Sequence, residues 1–342
     1  MDDNPSTRAT RFREANPGSN VELAYAGVST FLKAPYRRVD EVETEDVGVM
    51  GIPYDGAVSN RPGARYGPSA IREASGWWAY LYGYKGGLTN MQTEKQVDFG
   101  ALSIADCGDV PVFPMDRERT AESIEAHVAT LSERAFPVLL GGDHYCTYPS
   151  FCGFAEGTAA TTVGLVQIDA HTDTVEESAV FGEHFHGSST SLIANSKYSD
   201  YEHVSQVAIR GYEAPSFFEF AEEVGLNLYT MRDIEQSGIA SVIEDAIAAA
   251  AAEADVVYVT FDIDGVDPSV APGTGTPVPG GLSAREALTA VEVIGASDAV
   301  GAFDVMEVAP TYDPTEGTQR LAANLLVTLL ERKFAERVSE SN

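Results

Sequence analysis

The chain has 342 residues, 44% of them hydrophobic, and carries 52 acidic against 22 basic side chains for a formal net charge of −30. A charge of that size repels phosphate, so neither nucleic acid nor an anionic membrane is expected as a partner. No run of about 18 uninterrupted apolar residues appears, which argues against a transmembrane helix.

Two readings of the charge remain: a protein that attracts cations, or an acidic surface adapted to a salty cytoplasm, where a field is screened within about 3 Å at 1 M salt. Only five of the basic residues are lysines, and the acids are spread through the chain with no acidic tail. The salt-adapted surface is the stronger reading, with a halophilic source as its corollary. The first 20 residues are polar and lack the apolar segment of a secretory signal, so none is expected. Cys107, Cys146 and Cys152 form no C-x-x-C pair and no framework, which fits a reduced, cytoplasmic setting. Cys146, two residues past a histidine, reads as a small buried residue ahead of a metal ligand.

In chain order, Val47–Ile52 predicts a strand ending at Pro53, and Thr120–Ala135 an amphipathic helix. Pro137–Leu140 predicts a buried strand that stops at Gly141-Gly142. Strands follow over Thr162–Ile168, Gln206–Arg210 and Leu226–Met231. A helix is expected from about Asp233 to Ala252, because Ile239, Val242, Ile243 and Ile247 keep helical spacing through the alanine run. The last strands are Val256–Ile263 and Ala299–Val305, and the closing helix runs from about Glu316 to Val338. Strands alternating with helices predict a three-layer α/β/α fold with a central, mostly parallel sheet. Residues 1–40 read as an extension held by Phe31, Leu32 and Tyr36, and residues 41–342 as one domain.

The chemistry stands at strand ends. Pro137–Leu140 runs into Gly-Gly-Asp143-His144, Gly164–Ile168 into Asp169-Ala-His171-Thr-Asp173, and Val256–Phe261 into Asp262-Ile-Asp264. Open α/β sheets bind ligands outside the carboxyl ends of their strands, so three neighbouring strand ends would present four carboxylates and two imidazoles to one crevice. If the 169–173 segment stays extended, its alternate residues share one face. Four carboxylates packed together repel, and two divalent cations remove that repulsion. The oxygen-rich set, with two imidazoles and no thiolate, favours Mn²⁺, with Ni²⁺, Co²⁺ or Zn²⁺ accommodated. Paired cations about 3.5–4 Å apart bring a shared water near neutral pKa, so the implied chemistry is hydrolysis.

GGDH at 141–144, DAHTD at 169–173 and FDIDGVDPSVAPGTGTPVPGG at 261–281 resemble the blocks of the ureohydrolases, the family of arginases and agmatinases. RPGARYGPSAIREAS at 61–75 and DVMEVAP at 304–310 resemble two further blocks of that family. The resemblance assigns one metal to His144, Asp169, Asp173 and Asp262, and a second to His171, Asp169, Asp262 and Asp264. It makes Glu307 the partner of a guanidinium and His186 the proton shuttle to the leaving amine, with His184 as the competing histidine. His127 and His203 read as ordinary surface residues. The resemblance also implies a homo-oligomer, trimer or hexamer.

The long N-terminus and the NRPGARYGP loop at 60–68 are more similar to agmatinase-type and guanidinobutyrase-type members than to arginases. The expected reaction is agmatine to putrescine and urea, with a guanidino acid or free guanidine as alternative substrates. Ser188-Ser189-Thr190 departs from the agmatinase pattern, and Trp77, Trp78, Tyr80 and Tyr82 read as core packing or a pocket lid. A histone-deacetylase-like single-zinc enzyme fits less well because all six ligands are present. A silent paralogue would be expected to have lost one of them.

Overall fold

The computed structural model describes residues 23–85 and 87–338. The polar lead over residues 1–20 lies outside the described residues. Among the described residues no helix is long and apolar enough to cross a membrane.

The centre is an eight-stranded sheet built from β1 (Val47–Gly51), β2 (Ile104–Asp109), β3 (Phe136–Leu140), β4 (Val163–Ile168), β5 (Val204–Ile209), β6 (Asn227–Thr230), β7 (Val256–Asp262) and β8 (Val300–Met306). Their order across the sheet is β2-β1-β3-β8-β7-β4-β5-β6, with every pairing parallel. Continuous apolar runs such as Val-Leu-Leu in β3 are what a strand covered on both faces requires. The alternation sorts them into two layers. Val138 and Leu140 face a cluster with Ile243, Val291 and Leu326, while Leu139 faces one with Ile124, Val128 and Phe154. The first cluster lies under α1 (Gly67–Lys85), α7 (Ile239–Ala250), α8 (Ala284–Ala296) and α9 (Gly317–Lys333). The second lies under α2 (Arg117–Ser132) and α3 (Thr147–Thr158). The architecture is the expected α/β/α sandwich.

Several details differ from the sequence expectation. The helix expected over 233–252 is two helices, α6 (Met231–Ser237) and α7, parted at Gly238 with φ +80°. Glycine adopts that left-handed conformation without a Cβ penalty, which outweighs the helical spacing around it. The closing helix stops at Lys333 and resumes as a short turn over Ala335–Val338. α2 starts three residues before the expected Thr120, capped by the Asp116 side chain, which accepts from Arg119 N–H. Phe31 and Leu32 are buried as expected, but the Tyr36 ring is exposed and that residue attaches through a backbone bridge to Asp106. Asp106 accepts from Phe31 N–H at 2.7 Å and pairs with Arg72 of α1 at 2.9 Å, fixing the lead segment against the sheet edge. The aromatic residues of α1 form no lid: Tyr82 is buried, Trp78 packs on the core, and Trp77 stacks near Tyr80 on the surface.

The turn after β3 is tight. A Cβ added to Gly142 would stand 1.7 Å from Tyr54 O, a backbone atom held by the neighbouring Asp143 N–H at 2.8 Å. Gly142→Ala must therefore push the β3 turn away from the β1 turn. We expect a loss of about 3 kcal/mol or more in urea unfolding, at the top of the usual range for overpacking. Wild-type stability in that variant would show that the two turns are not in contact.

Candidate metal centre

Each feature expected at a strand end is found there. His144 follows β3, Asp169, His171 and Asp173 follow β4, and Asp262 closes β7 with Asp264 two residues on. The strand ends are not three adjacent ones, however. β8 lies between β3 and β7 and brings a fourth strand end, carrying Glu307, into the middle of the set.

His144 Nδ1 stands 2.9 Å from Asp169 Oδ2, 3.0 Å from Asp173 Oδ2 and 3.2 Å from Asp262 Oδ2. His171 Nδ1 stands 3.2 Å from Asp264 Oδ2 and 3.5 Å from Asp169 Oδ1. Two clusters of ligand atoms result, sharing Asp169 through its two oxygens. All six side chains except His171 are at least nine-tenths buried or nearly so. Asp173 adopts φ +49° and Glu307 φ +61°, a conformation in which a non-glycine residue is strained. Strain of this kind persists where surrounding structure fixes it, and it clusters at sites of function.

The supports are specific. Asp169 accepts from Gln167 Nε2 at 2.7 Å and from the His171 backbone N–H at 2.7 Å. Asp264 accepts from Thr276 Oγ at 3.0 Å, and Asp173 from Ser189 Oγ at 3.2 Å. Thr190 Oγ donates to Gln167 Oε1 at 2.6 Å. Within 188–190, Ser189 thus holds Asp173 directly and Thr190 holds Asp169 through Gln167, while Ser188 Oγ bonds Phe185 O.

Electrostatics and hydrogen bonding show that this set suits cations. Burial, then the neighbouring carboxylates, pushes Asp173, Asp262 and Asp264 above the ordinary carboxyl range. Burial acts the same way on Asp169, but the His144 and His171 imidazoles outweigh it and hold that carboxyl low. His144 Nε2 lies 2.9 Å from Thr260 Oγ, whose hydroxyl donates to Asp304 Oδ1 at 2.6 Å. Thr260 therefore accepts from Nε2–H, which places the lone pair of the neutral ring on Nδ1. That Nδ1 is buried, has no hydrogen-bond partner and faces three carboxylate oxygens. A lone pair among carboxylates is repulsive unless positive charge sits between them. Burial opposes a charged ring, but the three carboxylates outweigh it and raise His144 well above the ordinary imidazole range, so a proton supplies that charge, and a divalent cation would take its place. The residues present fit a divalent cation in each cluster.

Glu307 and His186 stand beside them. His186 Nδ1 is 2.9 Å from Glu307 Oε1, which also accepts from the His144 backbone N–H at 3.0 Å. His186 Nε2 meets the Ser59 backbone N–H at 3.0 Å and the Ser59 hydroxyl at 2.6 Å. In the neutral ring Nε2 accepts from that N–H and Nδ1–H donates to Glu307. In the protonated ring the Ser59 hydroxyl turns to accept from Nε2–H, while the Ser59 backbone N–H opposes it as a second donor. Burial opposes the charged ring, but Glu307 outweighs it and raises His186 to about 9. Glu307 Oε2 is buried and has no hydrogen-bond partner.

The other candidates fall elsewhere. His184 packs edge-on against Tyr145 at 5.9 Å between ring centroids, away from Glu307. Cys146 Sγ lies 3.7 Å from Asp143 Oδ1 and 3.9 Å from Tyr54 O, so it sits behind the cluster as a buried thiol. His127 is bonded to its own helix at Ser123 O, and His203 to Asp200. A cavity of about 200 Å³ opens over the clusters, lined among others by Ser59, Val175, Phe185, His186, Glu213 and Thr276. Phe185, His186 and Gly187 line it, whereas residues 60–66 of the NRPGARYGP loop do not. Ser59, Gln167, Thr260 and Glu213 were not singled out by sequence. Ser59 could have been suspected as the residue preceding the NRPGARYGP block.

Comparison with known proteins agrees with this picture. The arginase family profile matches residues 45–331. The chain is 37% identical to an agmatinase of Chromobacterium violaceum over 93% of this chain and 92% of that protein. It is 35% identical to the proclavaminate amidinohydrolase of Streptomyces clavuligerus, covering 91% of this chain and 95% of that one. The solved structure of the latter superposes with a TM-score of 0.80 over 91% of this chain and 99% of its own. A guanidinopropionase of Pseudomonas aeruginosa is 30% identical over 90% and 92% of the two chains.

Proposed function

The chain belongs to the arginase family, and from that premise we propose that it hydrolyses agmatine to putrescine and urea at a pair of divalent cations, Mn²⁺ first and Ni²⁺ second. The observation that carries this reading is Glu307 Oε2, buried and without a partner beside two clusters that share Asp169. A buried carboxylate oxygen without a donor costs free energy, and a guanidinium supplies planar N–H donors with the matching charge.

His144, Asp169, Asp173 and Asp262 would hold one cation, and His171, Asp169, Asp262 and Asp264 the other. When bound, the pair lowers the pKa of a shared water toward 7 and so supplies a nucleophile at neutral pH. Glu307 then fixes the guanidinium plane and turns its carbon toward that water. Addition of oxygen to this carbon is followed by cleavage of its bond to the alkyl nitrogen. His186 delivers the proton that lets this nitrogen leave as an amine, and the remaining fragment is urea. Glu307 favours the protonated ring that this role needs.

Agmatine is preferred to arginine in this reading because none of the described residues lining the cavity is a lysine or arginine that would receive an α-carboxylate. Relatives named for agmatine, proclavaminate and guanidinopropionate show that the family framework tolerates several tails. The test is urea release in high salt with Mn²⁺ or Ni²⁺ from agmatine, arginine, 4-guanidinobutyrate, guanidinopropionate and guanidine. No urea from any of them overturns the proposal. His186→Ala should keep its metal and lose turnover by a factor on the order of 10²–10⁴. Unchanged turnover removes His186 from the reaction.

A further inference from the structure

Glu213 stands in the loop after β5 and lines the cavity over the clusters, yet it belongs to neither cluster. Its carboxylate is not a freely solvated surface acid. Oε1 accepts from Thr172 Oγ at 2.7 Å, and Thr172 is itself buried between His171 and Asp173. Oε2 accepts from the Ala214 backbone N–H at 3.3 Å. The group is therefore aimed at the cavity from its exposed rim, opposite a floor made by the clusters.

No lysine or arginine answers that charge at the rim: none of the described residues lining the cavity is either. Two guanidinium groups nearby are committed elsewhere. Arg210 donates to the carbonyls of Val278, Gly265 and Asp264, and Arg61 to those of Thr274 and Gly275. A substrate whose guanidinium is held at Glu307 must project its tail toward the rim, where it meets a fixed negative charge. A cationic tail gains from that meeting, a neutral tail gains nothing, and a carboxylate tail is repelled with no lysine or arginine at the rim to receive it.

We propose that Glu213 is the specificity-determining residue for the tail, selecting a guanidino compound that ends in an ammonium group over one that ends in a carboxylate. The inference rests on the reading of the site as a guanidino hydrolase. It names the side chain that reads the ammonium end, which that reading assigns to no residue.

The experiment compares agmatine, n-butylguanidine and 4-guanidinobutyrate, which have tails of similar reach but positive, neutral and negative ends. On the Mn²⁺-loaded wild type, KM should rise in that order. Glu213→Gln should raise KM for agmatine about tenfold, as expected for loss of a charged hydrogen bond at a partly exposed site, while kcat stays within about twofold. The same change should leave n-butylguanidine unaffected. Glu213→Asp should restore part of the agmatine preference, and Glu213→Arg should lower KM for 4-guanidinobutyrate. Added salt should weaken agmatine binding in the wild type more than in Glu213→Gln, because screening acts only on the charge that remains. An unchanged ratio of agmatine to n-butylguanidine KM in Glu213→Gln overturns the inference, as does wild-type preference for 4-guanidinobutyrate. If none of the three yields urea, the hydrolase reading fails. Calorimetric titration of agmatine then decides the tail separately: weaker binding to Glu213→Gln supports the role of Glu213, and equal binding removes it.

Discussion

Asp169→Asn is expected to empty both cation sites together and to bring urea release at neutral pH below detection. Asp169 is the side chain that both clusters share, one oxygen to each. Its two oxygens are also the acceptors for Gln167 Nε2 and for the His171 backbone N–H. An amide in that place keeps one acceptor and turns an N–H group toward one of those two donors. The variant thus loses the bridging charge and gains a donor–donor conflict. Without the cations the pKa of the attacking water returns toward 15.7, and hydroxide at pH 7 becomes vanishingly scarce. Metal content per chain, measured by emission spectrometry beside urea release, decides the matter. A variant with two bound metals and full turnover would contradict the shared role.

The second large effect concerns Glu307. Glu307→Gln should retain both metals and lose kcat/KM on agmatine by a factor on the order of 10²–10³, the usual cost of removing one partner from a buried charged pair. The geometry explains why a near-isosteric change is so damaging. Oε1 is already occupied by His186 Nδ1 and by the His144 N–H, so a glutamine keeps its carbonyl there. Its NH₂ then occupies the position of Oε2, which has no protein partner. A guanidinium arriving there meets a donor instead of an acceptor, and the charge that would attract it is gone. Loss of metal alongside loss of activity would instead mean that Glu307 supports the clusters.

Much of this site was legible in the sequence because strand ends concentrate ligand-type residues into short blocks. GGDH, DAHTD and the 261–281 segment each fall where a buried strand stops, and the structure brings them to one crevice. The strand order was not legible. Parallel strands covered on both faces read as uniform apolar runs, and such runs carry no sign of which neighbour they will pair with. Nothing in Val300–Met306 states that it enters between β3 and β7. β2 was missed because Asp106 and Asp109 interrupt its apolar pattern, and their reason for being there is Arg72, more than 30 residues away. The residues that hold the ligands in place were hidden for the same cause. Thr260 meets His144 across 116 positions of sequence. Glu213 lies in a loop whose composition carries no mark of its hydrogen bond to Thr172.

The central placement of β8 also shapes how the protein must be made. During synthesis β3 and β7 leave the ribosome before the strand that separates them. For the whole interval in which residues 263–299 are being added, two apolar strand edges wait without a partner, and such edges invite pairing with other chains. His144 on one side and Asp169, Asp173 and Asp262 on the other are brought to their final spacing only when β8 slides between them. Until then His144 cannot reach Asp169, so the cluster it forms with Asp169 and Asp173 stays incomplete, whereas Asp169, His171 and Asp264 stand on the directly paired β4 and β7. Completion of the His144 cluster is thus coupled to insertion of β8, and a chain truncated before residue 300 lacks Glu307 and leaves two strand edges open to other chains.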